Sequence, residues 1–213
     1  SGCIAQVHKG RLLTNDSSSN DNVAVKVSHP GCQDIINIDL GILKTIGHIA
    51  DHIPYLRHLG VSDMVEQFSE FLLSQTDLRQ EAANIKRFQD NFKGHPDIAF
   101  PMVYNDITTR TVLIETFEPG VPIGEILNRR KKEIGDDDDK VIVNGVMVSK
   151  KDVCEKGVKA FLHMLFIDNF IHGDLHPGNI LIQPNKNNGG IKLIFLDCGL
   201  ANELSDRDLT NFV

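Results

Sequence analysis

Residues 172–181 read HGDLHPGNIL: two histidines, an aspartate and an asparagine crowded into a run that ends on Ile180-Leu181 and leads on to IKLIFLDCGL at residues 191–200. Pro177-Gly178-Asn179 is ordinary turn chemistry, and a chain that reverses there needs no other reason to be followed by a strand. Turn chemistry does not set the interval between Asp174 and Asn179, which stand five apart. A carboxylate that accepts a hydroxyl proton and an amide oxygen that holds a metal must both face a transferring phosphate from one short loop. This spacing allows it.

The same interval separates the aspartate and asparagine of the protein-kinase catalytic loop H-R-D-x-x-x-x-N. A second carboxylate should then follow across a hairpin. Asp197-Cys198-Gly199 stands where kinases carry D-F-G, after the apolar run from Ile191 to Leu196, which reads as a buried strand. Much earlier, SGCIAQV at residues 1–7 lies on the nucleotide-covering pattern G-x-G-x-x-G-x-V, with Gly2 as its second glycine, Ala5 in place of the third and Val7 as the valine; the first glycine position falls before residue 1. Val23-Ala24-Val25-Lys26 matches V-A-I-K, and its alternation places Ala24 and Lys26 on a strand beside that loop. A strand lysine is ordinarily solvated, and a glycine or alanine in a turn is ordinarily backbone accommodation. Four motif pieces in the right order carry the reading together. Lys26 needs a carboxylate to hold its ammonium toward the phosphates, normally a glutamate on helix αC. The best candidate is Glu81 in QTDLRQEAANIKRFQDNF (residues 75–92), where Asp77 can cap a helix whose Leu78, Ala82, Ile85, Phe88 and Phe92 recur at helical spacing.

Taken together, GCIAQVHKG, VAVKVSHPG, DLRQEAANIKRF, HGDLHPGNILI and LDCGL resemble the UbiB family, also called ADCK, of atypical kinase-like proteins linked to coenzyme Q. The resemblance implies Lys26 paired with Glu81, Asp174 as the catalytic-loop aspartate, and Asn179 and Asp197 as ligands of Mg2+ bound with ATP or ADP. It also implies support of coenzyme Q or isoprenoid-lipid metabolism, a lipid or a coenzyme Q assembly as partner, and a mitochondrial location. Three departures qualify it. The family's E-x-D before the αC glutamate reads Gln75-Thr76-Asp77, and a neutral amide cannot supply the carboxylate's charge. Its K-x-G-Q segment would lie before Ser1. His176 stands where kinases commonly carry lysine, and a neutral imidazole stabilises phosphate less than a fixed cation. His172 and His176 as zinc ligands lack a third and fourth ligand at metal spacing.

The expected fold is α+β, a bilobal kinase-like domain truncated at both ends. Residues 1–118 are expected to form the N-lobe and residues 119–213 a partial C-lobe. Its 213 residues, 41% hydrophobic, can bury a sizeable core. A net charge of −7 argues against an extended nucleic-acid surface. Cys3, Cys32, Cys154 and Cys198 form no C-x-x-C, which fits a reducing compartment. Two strands joined by TNDSSSNDN are followed by an apolar helix through Ile35, Ile36, Ile38, Ile42, Leu43, Ile46 and Ile49, closing near His52-Ile53-Pro54. A second runs from about Asp63 to Ser74. Both lie between Lys26 and Glu81 as an insertion, and their apolar faces read as lobe packing. No run is long enough to cross a bilayer, which leaves any membrane association to parts outside these residues.

PMVYND (101–106) and TRTVLIETFEPG (109–120) read as two strands, with the purine-edge groups of the hinge around Glu115 to Phe117. The basic Arg129–Lys132 and acidic Asp136–Asp139 runs read as a solvated loop. A helix over about Lys151 to Asn169, with Val158, Phe161, Leu162, Leu165 and Phe166 as its apolar residues, delivers the chain to HGDLHPGN. After the DCG, LANELSDRDLTNFV turns charged and helix-like at once, with Ser205 or Asp206 as cap, leaving little shelf for a peptide. The full set of Lys26, Glu81, Asp174, Asn179 and Asp197 favours an enzyme, an ATPase or phosphotransferase acting on water or a small or lipid-like acceptor. The alternatives are a nucleotide-sensing pseudokinase scaffold, for which Gln75 and His176 leave room, and a small-molecule phosphotransferase of the aminoglycoside or choline kinase type, against which IAQVHKG and VAVKVSHPG speak.

Overall fold

The computed structural model describes residues 4–13, 21–128, 140–143, 145–185, 190–205 and 207–209. Gly2, the polar loop at 14–20 and both charged runs at 129–139 lie outside the described residues. The chain divides into two compact units, residues 1–80 with 104–114, and residues 81–103 with 115–213. This division by packing differs from the lobe boundary at residue 118 drawn from the sequence, because most of the helix that carries Glu81 packs with the second unit.

In the first unit, strands β1 (Ala5–Leu12) and β2 (Asp21–Ser28) form an antiparallel hairpin, and β4 (Val112–Thr116), which belongs to this unit through Ile114, joins the far side of β2. Along β2, Val23 and Ala24 are buried and Val25 and Lys26 half-buried, so both faces of the strand are partly covered. Helices α1 (Cys32–Asp51) and α2 (Val61–Ser74) form the insertion. They approach closely at Gly47, where a Cβ would stand 3.3 Å from the Ser62 Cα. The side of α1 that packs is Leu40, Gly47 and Ala50. Ile35, Ile38, Ile42, Ile46 and Ile49 are instead 55–65% exposed, so the lobe packing expected of them is not found among the described residues.

The second unit is built on a sheet of order β3-β10-β9-β5. In it β3 (Ile98–Ala99) runs parallel to β10 (Ile191–Phe195), while β9 (Ile180–Pro184) and β5 (Val121–Pro122) pair antiparallel. The run read as a buried strand is β10, with Ile191, Leu193, Ile194 and Phe195 in the core. Helix α3 (Leu78–Asn91) starts where Asp77 caps it, Oδ1 accepting from the Arg79 N–H at 3.0 Å. It buries Ala82, Ile85 and Phe88 at helical spacing. The Phe88 ring stacks on Phe100 at 5.0 Å between centroids and meets Phe170 at 4.6 Å, and Phe100 in turn stacks on Phe195 at 5.6 Å. Each such pair contributes about 0.5–1.5 kcal/mol beyond its burial.

Two expectations need correction. Residues 101–106 are no strand; they make one isolated bridge, Val103 to Glu115, then a 3-10 turn over Asn105–Ile107. Pro101 has no N–H to give a ladder. Helix α5 (Lys150–Phe166), capped by Ser149, buries Val153, Ala160, Met164 and Leu165. Of the five residues expected to lead its apolar face only Leu165 is buried, while Val158, Phe161, Leu162 and Phe166 are exposed. Two further elements complete the description, the short helix α4 (Ile123–Asn128) and the hairpin β6 (Lys140–Val143) to β7 (Val146–Ser149).

Gly120 shows how closely β5 is seated: a Cβ there would lie 2.8 Å from the Leu181 Cβ and 3.2 Å from the Ile182 carbonyl oxygen. Neither neighbour is the free end of a flexible chain. Gly120→Ala is expected to destabilise the protein by about 1–3 kcal/mol, read as a lower urea midpoint at unchanged m-value.

Candidate active site

Strand β8 (Ile171–His172) leads into the loop and β9 leaves it. Within the loop the Asn179 Nδ2 donates to the Asp174 Oδ2 at 3.1 Å and to the Asp174 carbonyl at 3.3 Å. The two residues singled out by their spacing therefore meet. With its NH2 end engaged, the Asn179 amide directs Oδ1 away from Asp174, leaving an oxygen acceptor. His176 folds back on the same loop: its Nδ1 accepts from the Gly178 N–H at 3.1 Å, and its carbonyl accepts from the Asn179 N–H at 2.8 Å.

The turn carrying Asp197 is knitted to this loop by its neighbours. The Leu196 N–H donates to the Asn179 carbonyl at 2.7 Å, and the Gly173 N–H to the Leu200 carbonyl at 2.8 Å. Strand β11 (Ala201–Asn202) pairs with β8, Ala201 opposite His172. Asn169 extends the pairing with its side chain, Nδ2 donating to the Leu204 carbonyl and Oδ1 accepting from the Leu204 N–H, both at 3.0 Å. A short strand thus precedes the helical turn expected directly after the DCG; Ser205 does cap that turn, Oγ accepting from the Asp208 N–H at 3.2 Å. Asp197 itself has φ of 49°, a left-handed conformation that a bulky residue takes only at a cost.

His172 holds the two loops together. Its ring is 2% exposed and 5.8 Å from Phe88. Nδ1 accepts from the Asp174 N–H at 3.2 Å, so the proton sits on Nε2, which lies 3.3 Å from the Leu196 carbonyl it donates to. Burial holds its pKa below the ordinary 6.5, against the raising effects of the Leu196 hydrogen bond and the Asp197 and Asp174 carboxylates. In the sequence this histidine stands out only as a metal-ligand candidate. Its placement at the end of an apolar run, Phe170-Ile171, was the available signal.

Helix α3 adds two more residues that the sequence did not single out. Asn84 Nδ2 donates to the Cys198 carbonyl at 2.9 Å, within the core. One turn on, Arg87 lies 4.0 Å over the Phe170 ring and pairs with Glu203. Glu81, on the same helix, is buried.

Four of the remaining candidates, Ala5, Val7, Ala24 and Lys26, fall in the hairpin β1–β2. Val7 is the cross-strand partner of Lys26, and Lys9 of Ala24. Since partners share a face and faces alternate along a strand, Ala5, Val7, Ala24 and Lys26 all lie on one face of the sheet. Glu115 and Phe117 are half-buried at the end of β4. Lys26 belongs to the first unit, and Glu81, Asp174, Asn179 and Asp197 to the second. Carboxylate and amide oxygens such as those of Asp174, Asn179 and Asp197 are hard donors, a type that suits magnesium rather than zinc. Among the described residues no group of three or more His, Cys, Asp or Glu forms a metal cage, and no helix is long and apolar enough to cross a membrane.

The fold and the loop pair define a kinase-like domain. A family model described as the ABC1 atypical kinase-like domain matches residues 1–213, and the chain belongs to that family. The resemblance to UbiB proteins holds: it is 32% identical to a "Probable protein kinase UbiB" of Vibrio vulnificus, over 98% of this chain and 35% of that protein. It is 30% identical to "ABC1 family protein C21C3.03, mitochondrial" of Schizosaccharomyces pombe, over 93% of this chain and 32% of that protein. The chain thus spans about a third of the length of these relatives. Among solved structures, that of Rv3197 in complex with erythromycin, from Mycobacterium tuberculosis, superposes with a TM-score of 0.64 at 26% identity, covering 95% of this chain and 44% of that one.

The depressed pKa of His172 has a consequence for stability. The unfolded chain binds the proton more readily than the native one, so this contribution is complete above pH 6.5 and is lost as pH falls below it. Urea midpoints should therefore drop between about pH 7.5 and pH 5, and His172→Gln should flatten that slope while lowering the midpoint throughout. His95, also depressed by burial, accounts for part of the slope that stays. An unchanged slope in the variant would refute the clamp.

Proposed function

We propose that the domain binds ATP or ADP with Mg2+ and hydrolyses the nucleotide or transfers its phosphoryl group, in support of coenzyme Q or other isoprenoid-lipid metabolism. The observation that supports it most is the bond between Asn179 and Asp174 inside a loop tied to the Asp197 turn. Asn179 and Asp197 supply oxygens for the cation, and Asp174 accepts the proton of the attacking group or orients it. When bound, magnesium neutralises charge on the phosphate oxygens. Lys26, with Glu81 as its carboxylate, serves the phosphates. Gly2, Ala5, Val7 and Ala24 cover the nucleotide, and backbone groups from Glu115 to Phe117 meet the purine edge. The acceptor is water or a small or lipid-like molecule.

The biological setting comes from the relatives. Two are named as mitochondrial proteins, in fission yeast and in Saccharomyces cerevisiae, and bacterial UbiB proteins match as well. We place the whole protein in mitochondria where the organism has them, with a lipid or a coenzyme Q assembly as its partner and membrane association through other parts of the polypeptide.

Phosphate release and nucleotide affinity test the reading. Asp174→Ala should lower phosphate release by about 100-fold or more while nucleotide still binds. Asp197→Asn should weaken magnesium-dependent nucleotide affinity about tenfold. Equal phosphate release from wild type and Asp174→Ala, with binding intact, would favour the nucleotide-sensing scaffold. Unchanged affinity in Asp197→Asn would remove the metal site.

A further inference from the structure

We propose that Asn84 is the positioning residue for the metal-binding turn, keying helix α3 to Asp197-Cys198-Gly199. Asparagine is a weak choice for a helix interior, where its side chain competes with the backbone for hydrogen bonds. Asn84 is itself buried, between Glu81 one turn before it and Phe88 one turn after it and beside Ile85, and an aliphatic side chain would fill the same space. What an aliphatic side chain cannot supply is the Nδ2 donor, which reaches the Cys198 carbonyl at 2.9 Å. Cys198 is fully buried and directly follows Asp197, whose φ of 49° turns the chain out of β10. The left-handed residue and the buried carbonyl after it are costly alone, and the amide offsets the second cost.

The same helix makes a second attachment to this segment, through Arg87 to Glu203. Asn84 and Arg87 lie one and two turns beyond Glu81 on α3. The helix that carries the lysine's proposed carboxylate is therefore pinned to the metal turn and to the strand after it. A swing of α3 away from the site, as a means of switching it off, would break both attachments. The inference rests on Asp197 being a metal ligand only for its effect on nucleotide binding; the effect on the turn itself is independent of that.

Two readouts separate these. In a background with Cys3, Cys32 and Cys154 replaced by serine, Cys198 is the remaining thiol. Asn84→Leu, which keeps the packing, and Asn84→Asp, which sets an acceptor against the carbonyl, should each speed Cys198 labelling by a disulfide reagent about tenfold. Ile126→Ala, a core deletion elsewhere, sets the labelling rate expected from lost stability alone when compared at matched distance from the urea midpoint. In the native-cysteine protein, the Asn84 variants should weaken magnesium-dependent ADP affinity about fivefold and leave metal-free ADP affinity within about twofold. Labelling no faster than in Ile126→Ala would overturn the proposal, as would an equal loss of affinity with and without metal. If the wild type shows no magnesium-dependent ADP binding, the nucleotide reading fails, and Cys198 labelling alone decides the role of Asn84.

Discussion

One buried imidazole holds the loop that carries Asp174 against the turn that carries Asp197. His172 can accept from the Asp174 N–H and donate to the Leu196 carbonyl only while it is neutral and protonated on Nε2. The aromatic cluster makes that state the favourable one: Phe88 and Phe195 surround the ring and take it out of water. The sheet supplies the frame, since β9 and β10 emerge beside one another from Asn179 and enter Leu196, and those two residues are themselves bonded. The Asp174 carboxylate and the Asn179 amide meet inside a loop whose backbone is bonded to the residues flanking the Asp197 turn.

Helix α3 is the second constraint. It presents Glu81, Asn84 and the pair Arg87-Phe88 at successive turns, and three of these touch the segments around the loop: Asn84 at Cys198, Arg87 at Phe170 and Glu203, Phe88 at Phe170 and His172. A kinase reading of the sequence counts such a helix with the strands of the nucleotide-covering lobe. Here most of it packs with the catalytic-loop unit, where Phe88 of its apolar stripe meets Phe100 and Phe170, and Phe100 in turn stacks on Phe195 of β10.

What could be read from the sequence had a local cause. The Asp174 to Asn179 interval, the strand around Lys26, the Asp77 cap and the apolar run of β10 each reflect chemistry within a few residues, and each appears where expected. The rest depended on partners far along the chain. Asn84 finds its acceptor 114 positions away, and nothing near it signals a carbonyl there. The apolar face of α5 differs from the expected one because its buried side is Val153, Ala160, Met164 and Leu165, while Val158, Phe161, Leu162 and Phe166, equally apolar, face outward, and hydrophobicity alone does not tell the two sides apart. Residues 101–106 have strand-like composition but meet β4 at a single bridge. The isoleucines of α1 have the spacing of a packing face, and their exposure shows that periodicity identifies a face without identifying what covers it.

The most direct measurement is the anomalous scattering of manganese in crystals of the protein grown with Mn2+ and ADP. The account requires a manganese peak at oxygen-ligand distance, about 2.1–2.3 Å, from both the Asn179 Oδ1 and an Asp197 carboxylate oxygen, with the nucleotide phosphates on its other side. Manganese and ADP bound together without contact to either residue would contradict it.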